Sequence, residues 1–367
     1  MRAAVLPQPN EPLEIVDDLE VARPRAGEVR VWITHCGLCH SDLYTMDGTF
    51  RSPMPMVLGH EAAGEVESVG AGVRHVVAGD KVAITPMPSC GRCHSCITGH
   101  PTLCDDARNW ADGLLPDGTS PFSRAGETVY RGNGLGGFSE MAVAAANAVV
   151  KVDADTPLDL ICLIGCAVQT GVGAVLNTAA VPPGATVLVM GLGGIGQSIV
   201  QGARIAGATR VLVSDPVAER RAKAVGFGAT DTIDPSDTDV LAAVRDLTRG
   251  VGVDFAFDAA GSADLIATGV RATAPGGAVV MVGAPDPAER LSRISPAQLI
   301  GQEKRLLSTM VGNSYAPRDF PRLIALWRRG ALDLEGMVSS RRPLAEINEG
   351  FDDLRAGRGI RTVLTVR

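Results

Sequence analysis

The chain has few aromatic residues and no excess of positive charge. Among 367 residues there are only 3 Trp, 3 Tyr and 8 Phe, so few large rings are on hand to shape a pocket. Lys and Arg number 34 against 41 Asp and Glu, a net charge of −7. That balance argues against nonspecific attachment to nucleic acid or to an anionic membrane, because both need a basic surface. Long apolar runs are missing too. The most apolar stretch, residues 160–176, is interrupted by Gln169 and Thr170 and falls short of the ~20 residues that cross a bilayer. The first eighteen residues hold no apolar core of the kind that directs secretion, so a reducing cytoplasm is the expected setting. Hydrophobic residues make up 46% and charged residues 20%, as in a globular rather than a disordered protein.

Cysteine and glycine are plentiful by contrast, with 8 Cys and 43 Gly. In a reducing compartment eight cysteines point to metal binding before disulfides. All of them fall before residue 167, in a region of short β-type runs (Val29–Thr34, Lys81–Thr85) and turn-rich loops. Residues 168–310 read differently. Short apolar strands (Val187–Met190, Val211–Val213, Val253–Phe257, Ala278–Val282) alternate with Ala-rich helical stretches, which predicts a parallel sheet with right-handed crossovers. Residues 311–367 leave that alternation, with helical patterns at 320–329 and 344–356 and a closing strand at 361–366. The expected class is α/β: a β-rich domain of residues 1–167 and 311–367, interrupted by a doubly wound domain of residues 168–310.

Within the second region, Gly191-Leu-Gly193-Gly194-Ile195-Gly196 follows a strand and opens a helix. In that context Gly191 allows the tight turn, Gly193 lets backbone N–H groups approach a pyrophosphate, and Gly196 permits close helix–strand packing. Asp215 ends the next strand, 19 residues after Gly196. A carboxylate there accepts from ribose hydroxyls and repels a 2′-phosphate, favouring NAD. Arg220 and Arg221 pull the other way, since an arginine can accommodate that phosphate.

Cys90, Cys93, Cys96 and Cys104 lie within fifteen residues, among turn-formers. Four thiolates at this spacing can surround one tetrahedral zinc and leave no position for water, which makes the site structural, in a lobe of about residues 88–106. An iron–sulfur cluster is the competing occupant. A thioredoxin-like redox role lacks its βαβ context.

Cys39-His40-Ser41-Asp42, Gly59-His60-Glu61 and Gly165-Cys166 complete the chemistry-bearing fragments. The segment Gly59-His60-Glu61-x2-Gly64-x5-Gly70-x2-Val73 resembles the zinc signature of the medium-chain alcohol dehydrogenases. The resemblance extends over nearly the whole chain, through the four-cysteine lobe, Asp117–Ser120 with Phe122, Leu163–Cys166, the Gly191–Gly196 loop, Ile347–Phe351 and Ile360–Thr362. It implies a GroES-like catalytic domain joined to a Rossmann domain. It also implies two zinc ions per chain and hydride exchange between an alcohol and NAD.

The resemblance makes Cys39, His60 and Cys166 ligands of a catalytic zinc with its fourth position open. This Cys2His set is a documented alcohol dehydrogenase pattern. Asp42 is expected to bond His60, Glu61 to sit behind the metal, Arg361 to balance buried negative charge, and Ser41 to take the alcohol proton. Thr170, Gly194, Ile195 and Val282 join the cofactor contacts. Cys36 and Cys162 match no ligand position, although Cys36, in a CxxC with Cys39, could supply a fourth sulfur. His40 stands where liver-type relatives often place a pyrophosphate-binding Arg, which implies looser cofactor binding. Tyr44 stands where a His often ends the proton relay, and a phenol of pKa roughly 10 is a poor base at neutral pH.

Pro86, Met87, Trp110, Leu114 and Leu115 are expected near the substrate, in a roomy apolar pocket for primary or bulky alcohols. Within the same family, His40, Tyr44 and Arg108 resemble residues of thiol-dependent formaldehyde dehydrogenases. A non-catalytic member would need neither set of zinc ligands. Family relatives pair as dimers or tetramers through a strand near residues 306–311.

Overall fold

The computed structural model describes residues 1–107 and 109–367. Arg108, one of the residues resembling the thiol-dependent branch, lies outside the described residues. The chain divides into two compact units, Met1–Cys166 with Tyr315–Ala325 and Val338–Arg367, and Ala167–Ser314 with Leu326–Met337. The interrupted organisation expected from sequence texture assigned 311–367 wholly to the first unit. Residues 311–314 and 326–337 belong instead to the second. Their hydrogen bonds explain why. Gln201 donates to Asp333 O at 3.1 Å and accepts from Asp333 N at 2.7 Å, and Arg204 donates to Ala331 O at 2.9 Å. Leu332 and Leu334 are buried in the same segment.

The first unit holds two sheets. In the larger, the strand order is Val149–Lys151, Lys81–Ile84, Glu61–Val69, Glu28–Gly37, Arg361–Thr365, Val338–Pro343, with Met141–Ala145 also paired to Glu28–Gly37. The long strand Glu28–Gly37 shows the two-residue period of a half-buried strand. Val29, Val31 and Ile33 are fully buried, while Arg30, Trp32 and Thr34 are only partly covered. Gly64 on the neighbouring strand has no alternative residue, because a Cβ there would lie 1.9 Å from Trp32 O.

The second unit is built on six parallel strands in the order Asp231–Ile233, Arg210–Ser214, Thr186–Met190, Val253–Asp258, Thr273–Met281, Arg305–Ser308. Numbered along the chain this is 3-2-1-4-5-6, the doubly wound arrangement that carries dinucleotides outside the carboxyl ends of its strands. Each strand expected here is present and one to four residues longer, the last of them beginning at Thr273 and ending at Met281, one residue short of Val282. The helix after the glycine loop runs Gly194–Ala206 and stops at Gly207, whose φ of +85° closes it in the left-handed conformation. The helix expected at 320–329 begins earlier, spanning Ala316–Arg328, and the one at 344–356 contracts to Ile347–Arg355 after a 3₁₀ turn. Among the described residues no single helix is long and apolar enough to cross a membrane.

Candidate functional site

Strand register brings the first ligands together. In the antiparallel pairing of Glu28–Gly37 with Glu61–Val69, Gly37 faces Glu61 and Cys36 faces Ala62. Cys39 follows the first strand and His60 precedes the second at the same end of this pair, so the two emerge side by side. Cys166 arrives after the turn Cys162–Gly165, where a Cβ on Gly165 would come 2.7 Å from Ile84 O. The donor atoms of Cys39, His60 and Cys166 lie within 4.8 Å of one another. These residues are 3, 3 and 9% exposed. Among the described residues the group has three members. Cys36 is not one of them, since its Sγ faces Gly37 O at 3.8 Å.

His60 Nδ1 bonds Asp42 Oδ1 at 3.1 Å, which leaves Nε2 for a metal. The Asp42 oxygen also accepts from Gly59 N at 3.1 Å and from Asn133 Nδ2 at 2.8 Å. Burial disfavours the charged imidazole, but Asp42 and Cys39 outweigh it and hold His60 well above its ordinary pKa. Hydrogen bonding from Cys166, opposed by burial and aided by His60 and Arg361, holds the Cys39 thiol well below its ordinary range. Cys166, facing that thiolate in a buried setting, is pushed well above. A dication in this group would displace the remaining protons.

Arg361 lies on the other side. Its strand continues the register, Val363 facing Gly37, and Leu38 N donates to Thr362 O at 2.9 Å. This sets the Arg361 guanidinium 3.3 Å from Glu61 Oε1 and 4.0 Å from Cys39 Sγ, with both charged side chains buried. Burial works against the guanidinium charge, yet Glu61 and the two cysteines raise its pKa. Gly37 makes the room. A Cβ there would lie 2.3 Å from Glu61 Oε2. Ser41, in the short helix His40–Met46, has its Oγ 3.8 Å from Cys39 Sγ. His40 is exposed at the start of that helix, its ring 6.4 Å from Tyr44, which packs on Phe50 at 5.3 Å.

The reading of the sequence missed Asn133 and Gly37. Asn133 carries φ +49° inside Gly132–Gly134, and a Gly-Asn-Gly run is a legible signal for left-handed backbone. Nothing in the sequence linked that turn to Asp42.

The other four cysteines also converge. Cys90, Cys93, Cys96 and Cys104 place their Sγ atoms within 4.8 Å of one another, and Cys93 and Cys104 are 3.8 Å apart. A tetrahedral ion with bonds of ~2.3 Å sets its ligands ~3.8 Å apart. Backbone N–H groups of Arg92, Cys93 and Asp106 point at these sulfurs at 3.3–3.4 Å, and Cys90 N at 3.1 Å. Those from Asp105 and Cys96 lower the Cys93 thiol to about 6. Both cysteine groups therefore fit zinc by donor type and spacing.

In the second unit, Gly191 adopts φ +89°, and a Cβ on Gly196 would strike Gly191 O at 1.9 Å. Gly193 has open space where a Cβ would sit, so the backbone can be approached closely there. Asp215 is buried. It accepts from Leu192 N at 2.7 Å and Val217 N at 2.8 Å. Arg221 is committed elsewhere, to Asp234 at 2.6 Å and to Asp215 O at 2.6 Å. Gln197 donates to Arg220 O at 2.9 Å. Thr170 is buried beside Gly171, where a Cβ would meet Ile195 O at 2.5 Å. Val282 is buried and donates its N–H to Asp258 O at 3.0 Å.

Of the residues expected near the substrate, Pro86, Met87 and Leu115 are buried and Leu114 is half-buried. Trp110 packs on Gly134, where a Cβ would come within 2.4 Å of the indole.

Comparison with known proteins agrees with this geometry. Residues 25–154 match the alcohol dehydrogenase GroES-like domain, and residues 194–329 match the zinc-binding dehydrogenase family. An alcohol dehydrogenase zinc-binding domain protein from Burkholderia ambifaria is 34% identical, with a TM-score of 0.93 over 100% of this chain and 98% of that one. Benzyl alcohol dehydrogenase from Acinetobacter calcoaceticus is 29% identical, with a TM-score of 0.94 over 100% and 99%. A protein described as a zinc-binding dehydrogenase from Sinorhizobium meliloti, solved with NADP, is 27% identical, with a TM-score of 0.79 over 99% and 98%.

Proposed function

This chain belongs to the zinc-dependent medium-chain alcohol dehydrogenases, and from that premise we propose that it oxidises primary or bulky, apolar alcohols reversibly with NAD. The observation that carries the reading is the buried group of Cys39, His60 and Cys166, with three donors and no fourth among the described residues. A closed four-donor set could only be structural; three donors leave a position for a substrate oxygen. We assign this group one zinc and the Cys90–Cys104 group a second, structural one. When bound, zinc supplies Lewis acidity toward the alcohol or carbonyl oxygen, and the nicotinamide supplies the hydride acceptor or donor.

The chain's own residues do the rest. Asp42 fixes the tautomer of His60, so that Nε2 faces the metal position. Arg361 offsets the charge that Cys39, Cys166 and Glu61 gather in a dry pocket. Ser41 takes the alcohol proton and passes it towards solvent, since the Tyr44 phenol is a poor base. The Gly191–Gly196 loop receives the pyrophosphate at a helix N-terminus, with Gly194 and Ile195 at its first turn and Thr170 and Val282 flanking it. The family resemblance assigns His40, at the start of the helix His40–Met46, to the cofactor as well.

NAD is favoured because the Asp215 carboxylate would repel a 2′-phosphate and Arg221 is already paired with Asp234. The test is a panel of short, long and aromatic alcohols with each cofactor, and formaldehyde with and without a low-molecular-weight thiol. NADH formation from aromatic alcohols, with NADP poor, is expected. A dependence on thiol would move the chain to the formaldehyde branch. Asp215→Ala should lower kcat/KM for NAD by about tenfold or more and narrow the preference over NADP.

A further inference from the structure

Arg131 ends the strand Glu127–Arg131 and is only 6% exposed, yet among the described residues no carboxylate lies within ion-pair distance of it. Its Nη1 donates to Gly134 O at 2.5 Å and its Nη2 to Leu114 O at 2.6 Å. Burial alone pulls its pKa down to about 10, with Glu28 and Asp117 opposing from a distance. A buried cation satisfied only by carbonyls is costly, so its geometry needs a reason.

The reason lies two residues away. Between Arg131 and Gly134 the chain turns through Asn133, whose Nδ2 donates to Asp42 Oδ1 at 2.8 Å. That oxygen also accepts from His60 Nδ1 and Gly59 N, whereas Asp42 Oδ2 has no partner among the described residues. Without Asn133 the carboxylate would lose the shortest of these three hydrogen bonds and be held against His60 by Gly59 N alone. Trp110 packs on the far side of the same turn, against Gly134.

We propose that Asn133 and Arg131 are positioning residues for the metal-binding imidazole, Asn133 by locking the Asp42 carboxylate against His60 and Arg131 by clamping the turn that presents Asn133. This rests on the reading that Cys39, His60 and Cys166 hold a metal. It also ties that imidazole, through Leu114 O and Arg131, to the loop expected near the substrate.

The test is metal release. Cobalt(II) is exchanged into the full-length protein, and its visible bands are followed during transfer to excess chelator. The phase belonging to the three-ligand site is the one that His60→Ala lacks. Asn133→Gly is the clean deletion, because glycine accepts the left-handed backbone without strain. It should speed that phase about 10- to 100-fold and shift its bands, leaving the lobe phase unchanged. Arg131→Met should speed it severalfold, and the double variant should match Asn133→Gly alone, since both act through one bond. Arg131→Lys keeps the charge but cannot span both carbonyls; it should behave as Arg131→Met and serves if that variant fails to fold. Wild-type release and bands in Asn133→Gly, or fully additive effects in the double variant, would overturn the proposal while leaving the zinc reading intact. A wild-type chain that binds no metal at Cys39, His60 and Cys166 would overturn both.

Discussion

Two groups of cysteines in one unit reach nearly the same donor spacing by opposite routes. In the lobe, four ligands come from one loop, Cys90 to Cys104, and three of them are only half-buried. No large apolar side chain inside that loop is buried, and Ile97 and Leu103 are exposed. A metal bound there would take the place of a core. In the buried group, three ligands come from distant segments positioned by sheet register and held by Asp42, Asn133 and Arg361. There the fold makes the site, and a bound metal would add chemistry to a shape already built. The contrast teaches that donor type alone does not separate a structural from a catalytic site; what separates them is which partner organises the other.

The sharpest way to break this contrast is to remove a ligand from each group. His60→Ala should lower kcat/KM by about 10³-fold or more, with the lobe zinc and most of the thermal stability retained. Elemental analysis should fall from two zinc ions per chain to one. A large drop in melting temperature would show instead that the metal organises this site too. Next in size, Asp42→Asn should loosen the metal at the buried site by about 10- to 100-fold without touching the lobe, as read by chelator titration.

The pH dependence of that titration carries a sign. Cys166 and His60 are both shifted upward in the metal-free chain, so each must lose a proton before zinc binds. Apparent affinity should therefore rise with pH, by about tenfold per unit for each proton displaced, and level off once they are lost. A flat profile between pH 6 and 8 would contradict the protonated state assigned to them. The smallest effect on turnover is expected from Cys96→Ser. It should cost the lobe its metal, lower the melting temperature by about a few degrees, and open residues 90–104 to protease, while kcat changes by less than about threefold.

Much of this is legible in the amino-acid sequence, for reasons that differ by residue. The lobe could be read because its ligands are neighbours in sequence and their spacing is itself the geometry. The glycine loop could be read because the demands on Gly191 and Gly196 are backbone demands, visible in residue type. Cys39, His60 and Cys166 were assigned by resemblance, since no local rule joins segments so far apart; the register of Gly37 with Glu61 is what joins them. Asn133 escaped because its partner is ninety-one residues away and its own turn reads as an ordinary loop. The transfer of residues 326–337 to the second unit escaped for a similar reason, resting on Gln201 and Arg204 rather than on any shift in composition.

The strand Arg361–Thr365 has a bearing on how the protein is made. It pairs with Glu28–Gly37, a strand that leaves the ribosome more than three hundred residues earlier. The lobe can close as soon as Cys104 emerges, and the three ligands are all available once Cys166 does. Arg361 comes far later. During synthesis, then, Cys39 and Glu61 wait beside an unoccupied sheet edge without the cation that offsets them. The nascent chain passes through a stage in which the three ligands have emerged and the cation that offsets their charge has not, so the arrival of Arg361 completes the electrostatics of the site.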